Sequence, residues 1–352
     1  MKKIVSAFFC SILILMMISC SASTEVHSFT AMNTFMTVKS TGRNANKANL
    51  AVQKEVERLE NILSTTIPQS DLYKINNEMM ARELDDIENS ILYLPADFFL
   101  HDETVFLLDK SMEYFQKTGG AFNPSLYPVI REWGFTTGEY KVPSDERINE
   151  LLQYTDFPAF EFEENHRRVK KAYGMQIDFG AIGKGFAGDR AVEVLKQNGI
   201  KSALLDFGGN IQALGGKTDG SAWNVGIKNP WDGSAACGIK IKDACVITSG
   251  GYERFFTGND GKTYIHIFDG KTGRPVENDL ESVTIICHEG LYGDALSTSL
   301  FVMGKDDAVN FWKSERNFDF VMITKAHELI YSSPIKDLLE VFYEFTKIEV
   351  IE

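Results

Sequence analysis

The chain has 352 residues, 36 basic and 49 acidic side chains and a formal net charge of −13. With no basic run, that balance excludes nucleic acid held by general electrostatics, and any phosphate ligand needs a local site that overcomes the overall field. The length allows one large domain, or two intimate halves, around a substantial core.

Lys2 and Lys3 precede an apolar stretch at residues 4–18 and a small-residue junction, Ser19-Cys20-Ser21-Ala22, which is the order of a secretory signal. The stretch is too short for a comfortable membrane span, which needs about 20 apolar residues. Met17-Ile18-Ser19-Cys20 resembles a bacterial lipobox. That resemblance implies a signal peptide at 1–19, lipidation of Cys20 and a tether at 20–29, ahead of a single domain at 30–352. It also implies residence on the periplasmic side of a bacterial membrane, the inner one by preference. Ordinary cleavage near Cys20, or an uncleaved anchor, is the other reading. From Cys20 onward 34 basic residues face 49 acidic ones, a net charge of −15.

Leu50, Val52, Val56, Leu59 and Leu63 recur near helical spacing, so an amphipathic helix is expected at 46–63. A second is expected at 102–117, stopped by Gly119-Gly120. A third begins after Gly185, carries Ala187, Ala191, Val194 and Leu195, and ends near Gly199. A fourth occupies 295–303 and ends at Gly304. Strands are expected at 35–39, 202–206, 223–227, 238–241, 264–268, 282–287 and 320–324. Such irregular alternation favours a single layered α+β domain with mixed or antiparallel sheets over a doubly wound one. Cys237, Cys245 and Cys287 lack CxxC spacing, which indicates neither a zinc site nor a disulfide scaffold. Cys237 and Cys245 flank a possible hairpin and could pair across it, or serve as small buried hydrophobes.

Three glycine-rich segments lie at expected strand ends: IDFGAIGKG from Ile177, LDFGGN from Leu205 and VITSGGYER from Val246. Glycines let backbone N–H groups approach a phosphate, and a lysine entering a helix can neutralise it. None of the three has Walker A or GxGxxG spacing. Alone, each reads as a tight turn, with Asp178 and Asp206 as turn caps; together they point to a phosphate site. In GDALSTSL, Asp294 and Thr298 stand four apart, which puts their oxygens on one helical face. They read either as an Asp N-cap plus a Thr bonded to its own helix, or as oxygen ligands of a hard cation such as Mg²⁺. His266, in the alternation Tyr264-Ile265-His266-Ile267-Phe268, reads as a strand histidine or as a general base.

In chain order, AMNTFMTV, SDLYKIN, GGAFNPSLYPVIREWGF, IDFGAIGKGFAGD, LLDFGGN, WNVGIKNP, ITSGGYERFF, HIFDGKTGRPV and GDALSTSLFVMG resemble the ApbE-type family of FAD:protein FMN transferases. The likeness runs from Ala31 to about Asn310. It implies an ApbE-like, T-fold-like domain. It also implies Mg²⁺ held by Asp294, Thr298 and the carbonyl of Ala181, with FAD as substrate contacted by Met32, Asn33, Ala121, Phe122, Asn123, Asp178, Lys184 and Ile267. Lys184 and His266 are the implied catalytic pair, with His266 the base for a Thr or Ser hydroxyl of an acceptor flavoprotein. Asn33 stands where the family usually has Gly, Thr66 where an aromatic is common and Asn123 where Asp is common. FMN transfer with release of AMP is the leading expectation. The same site with water in place of the hydroxyl is an FAD pyrophosphatase, and a flavin-storing lipoprotein is the non-enzymatic alternative.

Overall fold

The structure, a computed structural model, describes residues 23–77, 80–81, 91–93, 99–162 and 169–352. The expected signal peptide and Cys20 lie outside the described residues. A nine-stranded sheet organises the rest. Its strands, numbered within this sheet, are β1 (Ser23–Ala31), β2 (Thr34–Gly42), β3 (Ser202–Phe207), β4 (Asn210–Leu214), β5 (Cys245–Gly250), β6 (Leu280–Cys287), β7 (Asp319–Thr324), β8 (Glu328–Ser332) and β9 (Lys347–Ile351). They lie side by side in chain order, antiparallel throughout except for the parallel β8–β9 pair. From Ser23 the chain is already paired with β2, so the expected tether at 20–29 is largely strand: Val26, Phe29 and Ala31 find partners at Lys39, Met36 and Thr34.

Eight α-helices are described: α1 (Ala45–Leu63), α2 (Asp71–Asn77), α3 (Asp102–Lys117), α4 (Tyr127–Glu132), α5 (Asp145–Leu152), α6 (Gly183–Gln197), α7 (Gly290–Met303) and α8 (Lys305–Glu315). Helices α1, α6 and α7 pack together on one face of the sheet. A three-stranded sheet of Trp223–Lys228, Ala235–Ile241 and Leu339–Val341 covers part of the other. The central strands are therefore buried on both faces and read as nearly continuous apolar runs. In β6, Val283, Ile285 and Cys287 face the α7–α8 core while Ile286 faces the small sheet. In β7, Phe320 and Met322 face the helices, and Val321 and Ile323 face away, the period of two that a pleated strand imposes.

Helix α1 forms as its spacing predicts, with Val52, Val56, Leu59 and Leu63 buried, but Leu50 falls off that stripe and is exposed. Helix α3 matches its expected range, and Gly119 and Gly120 follow it at φ +60° and +84°. The helix expected at 295–303 starts five residues earlier, at Gly290. The strand expected at 264–268 breaks at His266, between Thr263–Ile265 and Phe268–Asp269. Cys237, Cys245 and Cys287 are free and buried, and Cys245 stands opposite Cys287 across β5–β6 rather than near Cys237.

Candidate active site

Helices α6 and α7 meet backbone to backbone, and the chemistry gathers where they touch. A Cβ on Gly185 would come within 2.2 Å of the Gly290 carbonyl oxygen and 2.8 Å of Asp294 Cβ. That approach lets the Gly185 N–H donate to Asp294 Oδ2 at 2.9 Å. Gly185 is the third residue of α6, so its N–H has no partner within the helix, and Asp294 supplies one. The Ala181 carbonyl, which precedes the N-cap residue Ile182, has no backbone hydrogen bond among the described residues. Asp294 is 3% exposed, and its Oδ1 lies 3.9 Å from Lys184 Nζ. Asp294 sits in the second turn of α7, not at its N-cap, which is Glu289. Gly185→Ala is expected to cost about 1–3 kcal/mol by overpacking this crossing. A denaturant midpoint equal to that of the unsubstituted protein would show instead that the helices can separate freely.

Thr298 follows Asp294 by one turn and does not bond back to its own helix. Ser297 and Ser299 do that, to the carbonyls of Asp294 and Ala295. Thr298 Oγ1 instead lies 3.2 Å from Ser249 Oγ, which is also 2.8 Å from Ser297 Oγ. Ser249 arrives on β5 from the segment VITSGGYER. The capping and back-bonding readings of Asp294 and Thr298 are thereby overturned. Among the described residues no group of three His, Cys, Asp or Glu side chains could hold a metal. A cation here would rely on one carboxylate, one hydroxyl and one carbonyl, the hard oxygen donors that suit Mg²⁺.

His266 lies in the bend between two short strands, where its own N–H donates to the Arg254 carbonyl at 3.1 Å. Its ring Nδ1 is also 3.1 Å from that carbonyl. A carbonyl only accepts, so Nδ1 carries the proton and Nε2 keeps its lone pair. Burial first, then the Arg254 charge and more weakly that of Lys184, depress the imidazole pKa to about 4. The ring is therefore neutral at physiological pH, with a free Nε2 as acceptor. Arg254 is anchored by donation to the Phe135 carbonyl at 2.9 Å. Burial raises the Asp178 carboxyl above the usual range, against the Gly180 N–H and the Lys184 and Arg254 charges. Lys184, Arg254, Asp178 and His266 thus share one electrostatic neighbourhood.

Other predicted contacts divide into backbone and side chain. Met32 and Asn33 form the two-residue β1–β2 turn at φ +48° and +58°, and the Met32 N–H donates to Glu60 Oε1 at 2.8 Å. Asn is the residue that best tolerates this left-handed region after Gly, which explains Asn33 in a glycine position. Phe122 is 2% exposed, edge-on to Tyr114 in the main core, so its ring packs against protein. The side chain of Asn123 is committed: its amide donates to Thr155 O, and its oxygen accepts from the N–H and hydroxyl of Ser125. Both residues can offer a ligand only backbone, as can Ile267, whose side chain is in the α7–α8 core. A cavity of about 570 Å³ opens beside Ala121, lined among others by Lys117, Gly120, Asp269, Lys271 and Met303. LDFGGN is a hairpin turn, Gly208 and Gly209 at φ +65° and +89°, with Asp206 accepting the Gly209 N–H at 3.0 Å. Asp206 is a turn cap, as one reading of the sequence had it, and the turn packs against Thr34 beside the Met32-Asn33 turn.

Reasoning from sequence missed Ser249 and Arg254. The signal was present, since both belong to ITSGGYERFF, but their proximity to Thr298 and His266 depends on pairings far apart in the chain. The ApbE family's sequence model matches residues 32–322. A protein of Treponema pallidum named FAD:protein FMN transferase is 35% identical over 251 residues, covering 67% of this chain and 69% of that one. An Escherichia coli K12 protein of the same name is 28% identical over 281 residues, covering 78% and 76%. The crystal structure of an ApbE protein from Thermotoga maritima superposes with a TM-score of 0.80 at 29% identity, covering 90% of this chain and 99% of that one. The apo flavinyl transferase ApbE of Pseudomonas stutzeri gives 0.72 at 26%, covering 86% and 92%. By sequence over most of its length and by the fold of its solved relatives, this chain belongs to the ApbE family.

Proposed function

We propose that the chain is an FAD:protein FMN transferase that uses Mg²⁺ and moves FMN from FAD to a Thr or Ser hydroxyl of an acceptor flavoprotein, releasing AMP. The enzyme class rests on family membership and the shared name of the relatives. One observation carries the site: the buried Asp294 carboxylate accepts the N–H of Gly185, four residues beyond Ala181, and is thereby tied to the start of α6, while the Ala181 carbonyl has no backbone hydrogen bond among the described residues. Ala181, Asp294 and Thr298 would hold the cation. Bound there, Mg²⁺ supplies neutralisation of charge developing on the pyrophosphate. Lys184, at the N-terminus of α6, adds a fixed cation, and the N–H groups of that helix end favour an anion. The acceptor hydroxyl passes its proton to His266 Nε2 as its oxygen bonds to the FMN-side phosphorus, and the bond to the AMP oxygen breaks.

Incubation of the protein with FAD and Mg²⁺, with and without an acceptor flavoprotein fragment, tests this. In-gel flavin fluorescence on the acceptor with stoichiometric AMP, both abolished by chelator, is the expected result. AMP without protein-bound flavin assigns the site to hydrolysis. Intact FAD retained under every condition assigns it to storage. By its N-terminal sequence we place the enzyme on the periplasmic face of the membrane, anchored through Cys20. Cys20→Ala is then expected to shift it from the membrane to the soluble periplasmic fraction, and unchanged partition would remove the anchor.

A further inference from the structure

Asp189 lies on α6, one turn beyond Gly185, yet its carboxylate serves α7. Oδ1 accepts the N–H of Gly290 at 2.7 Å and Oδ2 that of Leu291 at 2.8 Å. These are two of the donors that a helix start leaves without internal partners. The local N-cap, Glu289, makes no side-chain cap bond. The start of α7 is therefore capped from a neighbouring helix.

The geometry is regular. Gly185 of α6 bonds residue 294 of α7, and Asp189 of α6 bonds residue 290. Four residues forward on one helix match four residues back on the other, so the two contacts are rungs one turn apart between antiparallel helices. Gln212 of β4 wedges the crossing, donating through Nε2 to the Gly185 carbonyl at 3.1 Å. A Cβ on Gly188 or Gly290 would come within 2.3 Å or 1.8 Å of that same amide. The inner rung contains the carboxylate of the site, and the outer rung has no other evident task.

We propose that Asp189 is a positioning residue: it fixes the register of α7 on α6 and so holds Asp294 against Gly185, at the end of α6 that directly follows Ala181. The link from register to metal binding rests on the function proposed above, whereas the link from Asp189 to the Gly185–Asp294 contact does not. Two substitutions in the full chain separate these. Asp189→Ala removes both acceptors, and Asp189→Asn keeps the shape and one of them. Amide hydrogen exchange without metal is expected to speed up at Gly185, Gly290 and Leu291 by about tenfold or more in Asp189→Ala, the equivalent of losing one modest contact. Asp189→Asn should fall between it and the unsubstituted chain. Mg²⁺ affinity by calorimetry should weaken by about tenfold in Asp189→Ala while the KM for FAD stays nearly constant, a split that general destabilisation does not produce. Unchanged exchange at Gly185 overturns the proposal whether or not Mg²⁺ binds. Faster exchange at Gly185 in a chain whose unsubstituted form binds no Mg²⁺ supports the positioning role and overturns the metal reading instead.

Discussion

Asp294→Ala is expected to lower metal-dependent turnover by about a thousandfold or more, since a bound cation supplies several kcal/mol to the transition state and each 1.36 kcal/mol is about tenfold. The substitution also strands the buried Gly185 N–H, at a stability cost of about 1–3 kcal/mol. Asp294→Asn separates these effects, because an amide oxygen still accepts from Gly185 while the negative charge is gone. Both variants should lose turnover, and only Ala should lose the stability. Calorimetric Mg²⁺ titration with FAD turnover for each variant checks this. Asp294→Asn with full activity would remove the carboxylate from the ligand set.

His266→Gln is expected to reduce turnover by about a hundred- to ten-thousandfold, the usual contribution of a positioned general base, with FAD binding retained. The pH profile carries a sharper signature. An ordinary histidine is protonated below about pH 6.5, but burial and the Arg254 charge depress the pKa of His266 to about 4. The base form therefore persists as pH falls through 6.5 and is lost only as pH approaches the depressed value. The acid limb of kcat/KM should lie below pH 6. Arg254→Met, which removes one depressing charge, should move it upward. A limb at or above pH 6.5 in the unsubstituted enzyme would contradict this environment for the ring.

Much of the framework was legible because local and global signals agreed. The apolar spacing of α3 and its two stop glycines set both ends of that helix. The apolar runs of β6 and β7 announced strands, although burial on two faces hid which side would meet α7. The start of α7 was missed for a physical reason. Gly290 and Gly293 weaken helix propensity, yet the crossing with α6 and the packing under Cys287 and Ile247 require them. His266 was read into a strand because its neighbours alternate. Its N–H does bond the Arg254 carbonyl, twelve residues back and in register with the Phe255–Ile265 pair, but the strand ends there at a bend. The proposed metal ligands came from family likeness, not from spacing. Only the structure ties Asp294 to the start of α6 through the Gly185 N–H, and only the structure brings Ser249 to Thr298 and Arg254 to His266.

The order of the main sheet has a kinetic consequence. Strands β1 and β2 are neighbours in chain and space, but the next strand, β3, begins at Ser202 after β2 has ended at Gly42. All of α1 to α6 emerges between them, so the β2–β3 pairing closes a very long loop. The entropy of that closure grows only slowly with length, but it must be met before the contact returns any stability, and such non-local pairing slows folding. Lys184 precedes that pairing in the chain and Asp294 follows β6. The two reach each other only after most of the sheet has assembled, so a truncated chain ending before Gly290 lacks the partner that Lys184 and Gly185 meet in the full chain.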